Sequence, residues 1–260
     1  MKFCLTFFIF IANSCFAQQW QAEVMAGVSG YSGDLTRRNL SFKTMGPAVN
    51  VNLKYILPGN YIVLRTGISY GRISANDKNN TDPRVNVRGL NFKSHILEGS
   101  LCAEFNLLEP ENFYAFPYFF AGVGIFHFDP YTYDNNNNKT FLRSLGTEGQ
   151  GLSEFPDRKM YSLTQFCIPF GAGWKFKIGE KYELIYEAGV RYLFTDYLDD
   201  VSKNYPDPQA LQAERGRIAA ELSYRQKNSN IPIDGRQRGN PKVKDWYYMS
   251  GFKVLINLGK

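Results

Sequence analysis

The chain has 260 residues, 16% of them aromatic, and a formal net charge of +6. A mean hydropathy of −0.33 excludes a helical membrane protein, and past the N-terminus no apolar run approaches the roughly 20 residues that a spanning helix needs. The basic residues are scattered, with Arg37-Arg38 the notable pair outside the tail region, which argues against a nucleic-acid partner.

Residues 1–17 have the layout of a secretory signal peptide. Lys2 supplies the positive start, Phe3 to Ala12 is almost wholly apolar, and Cys15-Phe16-Ala17 offers small residues before a cut. Cleavage after Ala17 would leave residues 18–260 as one exported domain. Cys4 and Cys15 fall in the signal, so Cys102 and Cys167 remain. Two thiols make no disulfide framework, and their spacing matches no zinc motif.

Eight runs with period-two alternation follow. The first is Gln21–Tyr31, with Ala22, Val24, Ala26 and Val28 on one face. In Pro47–Leu57, Val49, Val51, Leu53 and Tyr55 alternate with Asn50, Asn52 and Lys54; in Tyr61–Arg72, Ile62, Leu64, Ile68 and Tyr70 oppose Arg65 and Ser69. Phe92–Leu107 sets Leu97, Leu101 and Phe105 against Glu98, Cys102 and Glu104, whereas Phe116–Phe128 is apolar on both faces. Tyr161–Ile178 opposes Phe166, Phe170 and Trp174 to Cys167 and Lys175. Tyr182–Thr195 opposes Leu184, Tyr186 and Tyr192 to Glu187 and Arg191, and Trp246–Leu258 carries Tyr248, Phe252, Val254 and Ile256 on its outer face.

Each apolar stripe has the length a tilted strand needs to cross a bilayer. The opposite face bears Glu23, Arg65, Glu98, Glu104, Lys175, Glu187 and Arg191. In a membrane barrel these charges point into the lumen, and eight strands leave room there only for side chains. The links alternate between short (Pro58-Gly59-Asn60, Leu108–Phe113, Ile178–Lys181) and long (Ser32–Lys43, Ile73–Asn91, Asp129–Met160, Asp196–Asp245). Together with the export signal, that alternation predicts an all-β, eight-stranded antiparallel transmembrane β-barrel in the outer membrane, with short periplasmic turns and long outer loops.

Pro169 lies inside the sixth run, where a closed barrel has no free edge, and predicts a bulge. Asp207 and Pro208 begin a helix that continues to about Tyr224, weakened at Gly216. Asn135–Asn138 is a low-complexity loop tip. No metal or cofactor motif stands out: Asp196, Asp199 and Asp200 lack the spacing of a calcium loop and suit a solvated loop start or a partner for Arg191. Thr147-Glu148-Gly149-Gln150-Gly151 lacks the lysine of a phosphate loop. Of the two histidines, His127 is the candidate base for lipid-modifying chemistry, and no serine in a hydrolase-like context accompanies it. The chain therefore reads as a non-enzyme.

Several segments resemble the PorG family of Bacteroidetes outer-membrane proteins. They are Gly30-Tyr31-Ser32-Gly33-Asp34-Leu35, Leu90-Asn91-Phe92 with Glu98 and Glu104-Phe105-Asn106, Pro117-Tyr118 with Ala121-Gly122-Val123-Gly124, Ile168-Pro169-Phe170-Gly171, and two more specific stretches. Those two are Thr147-Glu148-Gly149-Gln150-Gly151 and Thr195-Asp196-Tyr197-Leu198-Asp199-Asp200-Val201-Ser202. The resemblance implies a structural subunit of the type IX secretion system, partnered by outer-membrane lipid, a PorK-like lipoprotein and a PorN-like periplasmic ring. It supplies no catalytic residue and no cofactor. Contact with such a ring would fall on the periplasmic turns, at Lys54, Asn60, Glu109, Glu111, Glu180 and Lys181. The alternative reading is a free-standing small porin-like or adhesion-type barrel that uses its long loops.

Overall fold

A computed structural model of the chain describes residues 20–36, 44–80, 82–226 and 235–258; the signal segment and Arg37-Arg38 lie outside them. In chain order the strands are β1 (Trp20–Ser32), β2 (Met45–Ile56), β3 (Ile62–Asn76), β4 (Asn91–Asn106), β5 (Ala115–His127), β6 (Tyr131–Tyr133), β7 (Lys139–Phe141), β8 (Thr164–Ile178), β9 (Tyr182–Leu193) and β10 (Trp246–Asn257). The helices are α1 (Pro83–Asn86), α2 (Pro208–Arg215) and α3 (Arg217–Ser223). None is long and apolar enough to cross a membrane, which says nothing about strands.

The eight long strands run β3-β2-β1-β10-β9-β8-β5-β4, and a β3–β4 pairing closes the ring. Every pairing is antiparallel, including that of the first and last strands, where Gln21 lies opposite Asn257. Closure leaves no open edge. The eight sequence runs correspond to these eight strands. The small β6–β7 hairpin branches from the loop end of β4, where Lys93 pairs with Tyr131.

Alternation decides which face is which. Outward positions are apolar and open: Val51 is 58% exposed, Leu101 57%, Val123 63% and Phe166 69%. Inward positions are buried and polar, with Lys54, Glu98 and Glu104 at 0%. A soluble barrel would place these groups the other way round, so this is a transmembrane barrel with lipid as its outer solvent. Tyr248 departs from the outward pattern. It is 8% exposed because its ring lies over Gly30, where a side chain would collide with it.

The apolar lumen face of β5 has a steric explanation. Its inward rings Tyr118 and Phe120 occupy space left by Gly173, Gly171 and Gly189 on β8 and β9. A Cβ on Gly173 would lie 2.5 Å from the Tyr118 ring, and one on Gly189 2.6 Å from Phe120.

Short turns gather at one end. In the first, Gly59 at φ +91 and Asn60 at φ +60 reverse the chain, and Leu57 N–H donates to the Ile62 carbonyl at 3.0 Å. All long loops gather at the other. Pro169 forms no bulge there or elsewhere. The β5–β8 register is the same on both sides of it, Ala121 with Phe170 and Gly124 with Cys167, and only the intervening ladder positions lapse. The register shift instead falls between Met45 and Ala48, at Gly46-Pro47. There a missing donor sits at the strand's start, and an extra residue costs the ladder little.

The helix expected after Asp207 forms in two pieces. Asp207 Oδ1 accepts from the N–H groups of Gln209 (2.6 Å) and Ala210 (3.0 Å), and Gly216 at φ +88 separates α2 from α3. Asn135–Asn138 is the turn of the β6–β7 hairpin, where Asp134 Oδ1 accepts from Asn136 N–H at 2.9 Å and Asn138 N–H at 2.7 Å.

Candidate functional site: a charged lumen under an interlocked cap

Every lumen charge expected from the sequence faces inward, and two join them. Glu104 on β4 meets Lys54 (2.9 Å), Arg65 (2.9 Å) and Lys175 (2.8 Å). Glu187 on β9 meets Arg65 (2.6 Å) and Lys253 (2.8 Å), and accepts from the Tyr118 hydroxyl. Glu23 on β1 meets Lys253 (2.8 Å), Lys54 and, at 3.9 Å, Arg65. Arg65 also lies 4.4 Å from the centre of the Phe120 ring. Three carboxylates and four cations thus form one connected network. A separate pair, Arg191 with Glu98 at 2.9 Å, lies toward the loop end, where Tyr247 hydroxyl donates to Glu98 at 2.6 Å.

Lys54 corrects an expectation. The sequence places it at the periplasmic rim, yet it is fully buried and bound to Glu23 and Glu104. Lys253 joins the network beyond the charges expected from the sequence. Both sit on the inward parity of their strands, so the alternation itself carried the signal. Of the other turn residues, Glu111, Glu180 and Lys181 are exposed and Glu109 is half-buried. Asn60 Nδ2 donates to Glu111 Oε1 at 2.7 Å and so ties the first turn to the second.

Above the ionic layer the barrel fills with apolar side chains, including Met25, Ile73, Phe92, Phe126, Leu193 and Met249. The lumen is plugged by both layers. Cys102 and Cys167 are buried there as free thiols.

The loops form a second structure over this plug. Thr147 hydroxyl donates to Asp200 Oδ2, and Tyr161 hydroxyl to Asp200 Oδ1 at 2.8 Å. Glu148 accepts the N–H groups of Ser202 and Lys203, both at 2.9 Å, and pairs with Arg238 at 3.1 Å. Arg238 also donates to the Asp200 carbonyl. Gln150 folds back to accept from Glu148 N–H at 2.9 Å, and Gly149 at φ +82 passes too close to the Phe155 ring to carry a side chain. Tyr197 stacks on Tyr161 with ring centres 4.8 Å apart. The two most specific sequence segments are therefore halves of one lock between the third and fourth loops.

Asp34 joins the first loop to this lock by accepting Asn240 N–H at 2.9 Å. Gly33 leaves room for Asp245 and the Tyr31 hydroxyl, and that hydroxyl donates to Asp199. Arg88 from the second loop holds Asp77 at 2.8 Å and donates to the Asp34 carbonyl at 2.9 Å.

The expectation of a solvated acidic loop start is overturned. Asp196, Asp199 and Asp200 are all buried, and Arg191 binds Glu98 rather than any of them. Burial raises Asp196 to about 7 and, against the opposing pull of Arg238, Asp200 to about 6. Asp199 and Asp245 are pushed well above the ordinary range by burial, with Asp34 adding to the first and Asp199 to the second. Among the described residues, no group of three or more His, Cys, Asp or Glu side chains is arranged to hold a metal ion. His127 lies on the barrel exterior, with Nδ1 3.0 Å from the Thr164 hydroxyl.

A cleft of about 740 Å³ opens beside the lock, lined by Arg88, Tyr205, Arg236, Arg238 and Asn240 among others.

No curated protein matches the sequence. Among solved structures, Neisserial surface protein A is similar at 10% identity and a TM-score of 0.43, covering 92% of this chain and 96% of its own. A major outer membrane protein from Thermus thermophilus is similar at 13% identity and a TM-score of 0.44, with 91% and 98% covered. OprG from Pseudomonas aeruginosa is similar at 9% identity and a TM-score of 0.39, with 92% and 97% covered. A family model described as "Domain of unknown function (DUF6089)" matches residues 1–224, and the chain belongs to that family.

Proposed function

We propose that this barrel resides in the outer membrane, after removal of its signal peptide, as a non-enzymatic structural subunit of the type IX secretion system. It anchors or scaffolds the periplasmic ring through its short turns. The observation that carries this reading is the sealed lumen. Among the described residues a core of ion pairs, an apolar plug and a locked cap fill the lumen, and eight strands enclose no room for cargo, so a secretion role would be one of anchoring. The lock supports it further, because it is built from Thr147–Gly151 and Thr195–Ser202, the segments that most resemble PorG. Affinity purification in mild detergent tests the reading: the barrel should bring a PorK-like lipoprotein and a PorN-like partner with it. Recovery of the barrel alone, with secretion unaffected by its deletion, would overturn it.

A free-standing adhesion-type barrel is the second reading. The cleft beside Arg238, at the long-loop end of the barrel, favours it.

A further inference from the structure

The outward faces of the eight barrel strands carry no carboxylate and only two formal cations, and those two are neighbours. They are Arg72 on β3 and Lys93 on β4, both exposed. Arg72 pairs in register with His95, and Lys93 with Ser74 on one side and Tyr131 of the hairpin on the other. Lys139 on β7 completes the group, with its ammonium 4.0 Å from the centre of the Tyr131 ring.

The side chains change in a fixed order toward the loop end. On β3 the outward row runs Leu64, Thr66, Ile68, Tyr70, Arg72; on β4 it runs Leu101, Gly99, Leu97, His95, Lys93, and Thr66 hydroxyl is turned to the Ser100 carbonyl. Aliphatic groups give way to rings and then to cations. The rings form a stack, Tyr70 on His95 at 5.9 Å and His95 on Tyr131 at 5.8 Å. Two residues of strand advance about 7 Å, comparable with the headgroup layer between the hydrocarbon core and water. Elsewhere on the loop-end rim, outward positions are filled by Phe166, Tyr192, Phe194 and Trp246, without charge. The nearest acidic groups do not neutralise the patch. Asp134 is engaged by its own turn; Asp129, just past the end of β5, feels the charge of Lys139, yet among the described residues Arg72, Lys93 and Lys139 are within 4 Å of no carboxylate oxygen.

We infer that Arg72, Lys93 and Lys139 form a docking site for the phosphorylated sugar headgroup of an outer-leaflet glycolipid of the lipid A type. Its acyl chains lie along the Leu97–Ile68 wall and its sugar against the Tyr70–His95–Tyr131 stack. The site deepens the outer-membrane reading above and rests on it for orientation. Phosphate oxygens accept from guanidinium and ammonium donors, and each cation near an anionic membrane surface contributes about a fivefold preference.

The test is native mass spectrometry of the detergent-solubilised chain with bisphosphorylated lipid A and with the same lipid stripped of phosphate. Wild type should retain the phosphorylated lipid preferentially. Combined Arg72→Gln, Lys93→Gln and Lys139→Gln should lose on the order of a hundredfold of that preference, while exposed Lys159→Gln should behave as wild type. Heat-modifiable migration on gels checks that each variant is a folded barrel. If the triple variant does not fold, Lys139→Gln, which lies off the barrel wall, should still lose about fivefold. Equal retention of both lipids by wild type, or unchanged retention by the folded variants, overturns the inference. Fractionation of cells separates the two readings, since a chain absent from the outer membrane defeats the membrane assignment whatever the spectrometer reports.

Discussion

Arg191→Leu is the sharpest test of the inverted barrel. Arg191 Nε lies 2.9 Å from Glu98 Oε2 and Nη2 3.4 Å from Oε1. Leucine leaves Glu98, which is fully buried, with the Tyr247 hydroxyl at 2.6 Å as its one hydrogen-bond donor among the described residues. Stranding one partner of a buried pair costs about 3–5 kcal/mol. Because Tyr247 continues to donate, the cost should fall near the lower end, about 3 kcal/mol. Removing the carboxylate as well, in Arg191→Leu with Glu98→Leu, should restore all but about 1 kcal/mol, the remainder being the Tyr247 hydroxyl left with the weak Cys167 Sγ contact at 4.0 Å. The exposed change Lys159→Gln should stay within about 0.5 kcal/mol. The assay is urea unfolding of the refolded barrel in lipid vesicles, read by the fluorescence of Trp20, Trp174 and Trp246, all on outward positions. If Arg191→Leu matches Lys159→Gln, or if the double variant is no better than the single, Arg191 does not face a sealed lumen.

Both thiols should react when the unreduced protein is unfolded and alkylated, because Cys102 and Cys167 sit on strands with β5 between them, opposite Gly122 and Gly124; loss of both labels, restored by reductant, would mean a bond between them and break this register. Arg238→Gln should loosen the cap without opening the barrel, since it removes the clamp on Glu148 and Asp200. Limited proteolysis should then cut within 194–245 several times faster, at unchanged heat-modifiability, and an unchanged rate would refute the lock. The cap should also weaken as pH rises. Asp196 and Asp200 hold their protons to about 7 and about 6 against an ordinary 3.8, so the folded loops bind more protons than the open ones. That stability is complete below about 4 and lost as pH passes through 6 to 7. Hydrogen exchange of residues 194–206, corrected for intrinsic chemistry, should show more protection at pH 5.5 than at pH 8, and the reverse order would contradict the burial of these aspartates.

Strand parity was the most legible feature of the sequence. It placed Glu23, Arg65, Glu98, Glu104, Lys175, Glu187 and Arg191 in the lumen because a period of two assigns faces without knowledge of neighbours. The same rule placed Lys54 inside, and proximity to a turn was the wrong reason to move it to the rim. What parity cannot supply is pairing across loops. Thr147 with Asp200 and Glu148 with Ser202 are 53 and 54 residues apart, and neither segment has a period to read. The β6–β7 hairpin is illegible in the sequence for a related reason: three residues per strand are too few to show alternation. Pro169 shows the limit of residue rules. A closed barrel absorbed the missing donor by dropping ladder positions, while the bulge went to Pro47.

The turn end sets a quantitative condition on any ring contact. A standard interface uses about 20–30 residues a side, and the three short turns together offer fewer than that, with Glu111, Glu180 and Lys181 as their exposed charges. One ring subunit should therefore bind one barrel weakly. A ring presents many copies of its subunit, and several barrels held in one membrane can engage it together. Linked binding of that kind can raise overall affinity by about 100- to 10,000-fold with no new contact. The proposed anchoring role thus predicts that an isolated, monomeric ring lipoprotein elutes from immobilised barrel within minutes, whereas the assembled ring stays bound to barrels reconstituted in vesicles. Glu111→Lys with Lys181→Glu should abolish retention of the ring, and trimming Asn135–Asn138 at the far end should not. Tight one-to-one binding by the monomer would mean that the barrel offers a surface beyond its turns. Retention that survives charge reversal but not loop trimming would place the ring on the wrong side of this barrel and defeat the anchoring role.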